Sequence, residues 1–344
     1  MELGVCTFAE VRLDEERGSP VGTPERMAHL LEEIQLADEV GPDVFAIGEH
    51  HRPDFAISAP PVALAAGAAL TKHIRLSSAV TVLSTEDPVR VFQNFATLDL
   101  ISGGRAEIMA GRGSFVESFP LFGYSLDDYD ELFDEKLRML LSIRASERVS
   151  WEGRHTRSLD ELGVYPRPIQ DPLPVWVAVG GTPQSVVRAG SLGLPLNIAI
   201  LGGPPERFSS FVDLYRESAS RAGHDAEGLP VAITSHGFLA EDSSTARDTF
   251  FPGYSEMMTR IGRERGWPPH TRAQFDASCA SGGPLLVGSP QEMIDKILGQ
   301  HAIFGNDRYL VQMAFGDLPH DRLLRSIELL GTEVAPVIRR EAGA

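Results

Sequence analysis

Short apolar runs alternate with longer amphipathic stretches along this chain, and the alternation repeats eight times. The strand-like runs are Leu3 to Ala9, Asp43 to Gly48, Ile74 to Leu83, Ala106 to Ala110, Val175 to Val179, Asn197 to Leu201, Val231 to Leu239 and Arg308 to Phe315. Most are continuous rather than strictly alternating, the pattern of parallel strands buried on both faces. Eight such units predict an α/β fold, a (β/α)8 TIM barrel with insertions, as a single domain over residues 1–344.

The helical stretches carry their own start signals. Thr23-Pro24, Asp87-Pro88, Thr182-Pro183 and Ser289-Pro290 each place a capping oxygen before a proline, which gives up no intrahelical bond at the first helical position. Ser289 with Glu292 reads as a reciprocal capping box. Between the seventh run and the helix at Ser289 lies a long excursion, about residues 241–288, containing Gly266-Trp267-Pro268-Pro269 and Ser281-Gly282-Gly283-Pro284. A loop of that length in a compact domain points to a lid, and the part from about Pro252 to Gly283 is expected to close over the site.

Composition narrows the function. With 344 residues, 42% hydrophobic and 23% charged, the chain can bury a large core. A net charge of −17 argues against binding along a nucleic-acid backbone, which needs a basic face. Cys6 and Cys279 are the two cysteines, and a domain of this size needs no disulfide to hold it. The first residues offer neither a basic leader nor a long apolar stretch, so the expectation is a cytoplasmic protein that does not span a membrane.

Barrel enzymes build their sites at the C-terminal ends of the strands. Those ends bring Phe8, Glu49-His50-His51, Gly111-Arg112-Gly113, Gly180-Gly181-Thr182, Leu201-Gly202, Ser235-His236 and Gln312 to one rim. His50 is the candidate for proton transfer near neutral pH. Neighbouring strand residues point to opposite faces, so His50 and His51 are poorly placed to share an ion, and no metal site is expected. Arg112 between two glycines offers a planar fork to a phosphate. Gly180, Gly181, Thr182 and Ser185 open a helix whose free amides suit the same anion, although a plain strand-to-helix turn uses the same residues. The dinucleotide fingerprint, the phosphate loop, the nucleophile elbow and the zinc-protease helix are all missing from the sequence.

These residues resemble the bacterial luciferase-like flavin-dependent monooxygenases. The likeness runs through Asp43 to His51, Ile74 to Leu83, Asp87 to Arg90, Leu98 to Arg105, Ala110 to Gly113, Val287 to Pro290 and Glu328 to Pro336. It implies that reduced FMN binds with its phosphate near Arg112, Gly180, Gly181, Thr182 and Ser185, with Leu201 and Gly202 beside them. It also implies a cis peptide at Ala79-Val80 under the flavin ring, and His50 as the catalytic histidine. Phe8, Phe115 and Gln312 are the substrate-side candidates.

The activity implied is oxygenation of a small organic substrate by O2 through a flavin 4a-hydroperoxide. A separate NAD(P)H:flavin reductase would supply the reduced flavin, and the oxygenase would be a homodimer. The sequence departs from luciferase itself at Gly111, where the luciferase carries its reactive cysteine, so light emission is not implied. Hydride transfer from a deazaflavin, or a non-catalytic subunit, are the alternatives.

Overall fold

A computed structural model describes residues 1–14 and 19–343. Its frame is a closed parallel barrel of β1 (Glu2–Thr7), β2 (Val44–Ile47), β3 (Arg75–Ser78), β4 (Ala106–Gly111), β5 (Val175–Val179), β6 (Leu196–Ala199), β7 (Val231–Leu239) and β8 (Arg308–Gln312). Each strand pairs with the next, and β8 returns to β1. Two further strands extend this sheet: Thr81–Val82 beside β4, and Leu286–Gly288 beside the end of β7.

Side-chain alternation divides each strand between two cores. Leu3, Val5, Phe45, Ile47, Leu76 and Ile108 face outward against the helices, where the large outer core forms. Cys6, Val44, Ala46, Ala79, Met109, Trp176, Ala232 and Leu310 fill the barrel interior. The floor of the interior is charged: Arg308 donates to Glu107 at 2.6 and 3.1 Å and to Glu2 at 2.7 Å, and stacks over Trp176. Arg308 and Glu107 are both buried, so each requires the other.

The strand readings survive with small changes at their ends. The third run is broken, because a cis peptide at Ala79-Val80 separates β3 from Thr81–Val82. Asp87 caps its helix through Val89 and Arg90, and Ser289 accepts from Glu292 N–H, as their spacing predicts. Glu292 does not complete the box; its carboxylate faces Arg247. Thr23 is already helical, with Gly22 in the capping position.

The excursion is not a loop. It contains a helix at Ser243–Arg265, a second at Arg272–Cys279, and the strand Leu286–Gly288. Phe250, Tyr254, Met257, Phe275 and Cys279 pack with Phe238 and Phe315 into a separate apolar cluster. Removing residues 252–283 would therefore strip cover from Phe238 and Phe315, so the segment is part of the fold as well as a cover. Cys6 and Cys279 are buried and unpaired by disulfide. No described helix is long and apolar enough to cross a membrane.

Candidate active site

The end of β2 sends its two histidines apart. Glu49, buried behind the rim, takes His51 Nε2 at 2.8 Å with one oxygen and the Val82 amide at 3.0 Å with the other. His50 turns the other way into three phenylalanines, with ring centroids 4.6 Å from Phe8, 4.3 Å from Phe55 and 5.0 Å from Phe115. Gly48 is obligatory here, since a β-carbon would sit 2.0 Å from the Phe8 ring and 2.9 Å from the Ala79 carbonyl oxygen. Burial, assisted by the charges of Arg52 and His51, lowers the His50 pKa to about 3. The imidazole is thus neutral at physiological pH, and its buried Nε2 has no protein partner.

Across the rim, β4 and β5 bring the phosphate candidates together. Arg112 donates to Asp130 at 2.5 Å and to Thr182 Oγ1 at 3.1 Å, and its guanidinium lies 4.9 Å from the centre of the Tyr129 ring. Thr182 stands at the cap of helix Pro183–Ser191, yet its hydroxyl does not cap that helix and serves Arg112 instead. Ser185 Oγ is buried with no partner. A β-carbon added at Gly180, Gly181 or Gly202 would meet nothing within 4 Å, so the turn has room beside it. A cation, hydroxyls, helical amides and open space together fit a phosphate group. Leu201 and Gly202 lie exposed on the loop after β6, the strand next to β5. Gly111 abuts Val80 so closely that a β-carbon would approach Val80 Cγ2 to 2.6 Å, which fixes the Ala79-Val80 step against β4.

The third wall is polar and buried. His236 on β7 and Gln312 on β8 are register partners facing inward, and Gln312 Nε2 approaches Glu10 Oε1 at 3.5 Å. Burial raises the Glu10 pKa to about 8, against the opposing charge of Arg26. His236 is lowered to about 3 by burial, and its ring contacts Phe315 and Tyr254 of the insertion helix.

That helix is pinned across the rim by Arg52. Its guanidinium donates to Asp54 at 3.1 Å, Glu117 at 2.5 Å and Glu264 at 2.6 and 3.0 Å while stacking over Phe115. Asp54 is shared with Arg260 of the same helix.

Of the residues singled out in the sequence, the structure joins Arg112 to Thr182 and sets the rings of Phe8 and Phe115 edge-on to His50. Sequence reasoning passed over Glu10, Arg52 and Phe55. Glu10 lies just past β1 and Arg52 just past the histidine pair, so a wider view of the strand ends would have included them. Phe55 gave no signal, because pairings distant in sequence, such as the bridge between Glu10 and Phe55 and the Ala56 amide on the Ala9 carbonyl, bring its loop to the rim. One described group has metal-ligand spacing: Asp128, Glu131 and His155, next in sequence to the Tyr129 and Asp130 that contact Arg112. Glu131 there already receives Arg154 and His155.

Residues 1–306 match the family described as luciferase-like monooxygenase, and the chain belongs to that family. It is an oxidoreductase. It is 29% identical to 4-hydroxyprotoasukamycin monooxygenase of Streptomyces nodosus subsp. asukaensis, over 89% of this chain and 85% of that one. The oxygenase component of the flavin-dependent trigonelline monooxygenase of Acinetobacter baylyi is 24% identical, over 89% and 88%. Among solved structures, monooxygenase RslO1 from Streptomyces bottropensis superposes with a TM-score of 0.84 at 26% identity, covering 98% of this chain and 99% of that one. The fold is also that of the oxygenating constituent of 3,6-diketocamphane monooxygenase from Pseudomonas putida, solved with FMN (TM-score 0.76, 21% identity, 98% of each chain). A coenzyme F420 dependent tetrahydromethanopterin reductase from Methanopyrus kandleri shares it as well (TM-score 0.73, 19% identity, 98% and 99%).

Proposed function

We propose that this chain is the oxygenase of a two-component flavin monooxygenase that uses reduced FMN, delivered by a separate NAD(P)H:flavin reductase, and O2 to oxygenate a small organic substrate. The observation that carries the reading is the Arg112–Thr182 contact beside the unpartnered Ser185 hydroxyl and the open glycine turn. Arg112, Gly180, Gly181, Thr182 and Ser185 would hold the FMN phosphate, with Leu201 and Gly202 at its margin and Ala79-Val80 against the ring. Bound reduced flavin supplies the electrons that activate O2.

The chain's own residues divide the remaining work. His50, neutral and with a free Nε2, accepts or returns a proton at the reacting substrate. Phe8 and Phe115 hold His50 in place and present an apolar face to the substrate, while Gln312 offers an amide. The insertion helix closes the rim against water. The name of the trigonelline relative, an oxygenase component, supports a separate reductase. A homodimer is supported by helix Pro60–Leu70, apolar nearly throughout, and by exposed Val62, Leu100 and Ile101.

The fold alone does not separate FMN from a deazaflavin, because F420-dependent enzymes share it. Anaerobic titration with each reduced cofactor, followed by turnover under isotopically labelled O2, tests the reading. Tight binding of reduced FMN and one labelled oxygen atom in the product are expected. Preference for the reduced deazaflavin, with unlabelled product, would overturn it in favour of hydride transfer.

A further inference from the structure

Three features of the rim bear on what enters it. The first is apolar: Phe8, Phe55 and Phe115 surround His50. The second concerns charge, because each rim cation named above is already engaged. Arg52 serves Asp54, Glu117 and Glu264; Arg260 serves Asp54; Arg112 faces Asp130 and Thr182 on the cofactor side. The third is a run of buried polar groups on adjacent strands, Glu10 after β1, Gln312 on β8 and His236 on β7, in which Glu10 Oε2 and His236 Nδ1 have no partner.

Glu10 also lacks a dedicated counter-ion. The groups facing it are Cys6 near the end of β1, Arg26 and Glu33 from helix Thr23–Val40, and Gln312, with Arg12, Glu25, His29, Asp317 and His320 around the same cleft. Arg26 is held by both oxygens of Glu33, at 2.7 and 3.1 Å. A carboxyl so buried, whose nearby cation is engaged elsewhere, keeps its proton at neutral pH, and a protonated carboxyl is a donor.

We propose that the rim selects an uncharged, ring-bearing substrate, and that protonated Glu10, flanked by Gln312 and His236, hydrogen-bonds its carbonyl or hydroxyl oxygen. This rests on the oxygenase reading and names the substrate class. An anion would meet Glu10 where Arg26 is held by Glu33 and Arg12 faces Asp317 at 3.7 Å; a fixed cation would require Glu10 to ionise in a dry site.

Three bicyclic probes of similar shape test this by calorimetry on the intact protein, with and without oxidised FMN: 2-acetylnaphthalene, 2-naphthoate and N-methylquinolinium. At neutral pH the ketone is expected to bind at least about tenfold tighter than either ion. Because 2-acetylnaphthalene does not titrate, its affinity for the wild type should fall as pH is taken above about 8, where Glu10 ionises. Glu10→Gln, which keeps a neutral donor, should abolish that fall. Equal or tighter binding of either ion, or a flat wild-type profile for the ketone, overturns the proposal, and neither result needs the variant. FMN binding, read in the same instrument, reports separately on the oxygenase reading.

Discussion

Arg52 and Glu264, 212 positions apart, form a two-pronged ion pair at 2.6 and 3.0 Å that joins the loop after β2 to the C-terminal turn of the insertion helix. Glu264 is about half exposed, so the pair contributes modestly to stability. Its larger effect is on the position of the helix. Arg52→Ala is expected to cost about 1–2 kcal/mol and to leave FMN affinity nearly unchanged. Oxygen consumption should then exceed product formation severalfold, because water reaches the site. An oxygen electrode read alongside product quantitation checks this; a ratio equal to that of the wild type would mean that other contacts suffice to hold the helix.

Arg112 is expected to grip the cofactor phosphate. A charge-assisted contact contributes about 1.5–3 kcal/mol, so Arg112→Ala should weaken reduced FMN about ten- to a hundredfold. Thr182→Val should weaken it less, since it removes the hydroxyl that orients the guanidinium and leaves the charge. Anaerobic titration measures both, and unchanged affinity in Arg112→Ala would take that residue out of the site.

His50→Ala should bind flavin yet turn over about a hundred- to ten-thousandfold more slowly. With the His50 pKa at about 3, the imidazole does not change charge across the physiological range. The rate profile of the wild type should accordingly show no inflection near pH 6.5 from this residue. Such an inflection, lost in His50→Ala, would mean that the ring is more solvated than its phenylalanine cage implies.

Stability should depend on pH from two directions. Glu10 rises from 4.5 in the unfolded chain to about 8 when folded, so its contribution is complete below pH 4.5 and is lost as pH climbs toward 8. His50 and His236 fall from 6.5 to about 3, so their contribution is complete above pH 6.5 and is lost as pH drops toward 3. Glu10→Gln should therefore gain on the wild type as pH rises from 4.5 to 8, with the difference level on either side. Melting curves across that range test it; a constant difference would place the ordinary carboxyl pKa in the folded protein.

The barrel was legible because parallel strands buried on both faces leave apolar runs: Val175 to Val179 is continuous, Val231 to Leu239 is interrupted at Thr234, Ser235 and His236, and both match at their two boundaries. Residues at strand ends, such as His50 and Arg112, follow from the same geometry. The insertion was harder to read. Glycines and prolines in residues 252–283 suggest a loop, but Pro252 is accommodated inside a helix whose Phe250 and Tyr254 are covered by Phe315. Burial supplied by Phe315, in the distant loop after β8, outweighed local propensity there. The Arg52 contacts were equally hidden, since charge pairing between positions 52, 117 and 264 leaves no trace in spacing.

The ion pair of Arg308 with Glu107 closes the barrel at the end away from His50. With charged groups sealing that end, the interior is a cul-de-sac: whatever enters at the rim departs by the same doorway. On the proposed oxygenase reading, cofactor, O2 and product would share that one way in and out beneath the insertion helix, so the order in which they arrive would constrain the order in which they leave. Ordered rather than random addition is the kinetic signature of such a plan, with product inhibiting against whichever partner occupies the doorway last.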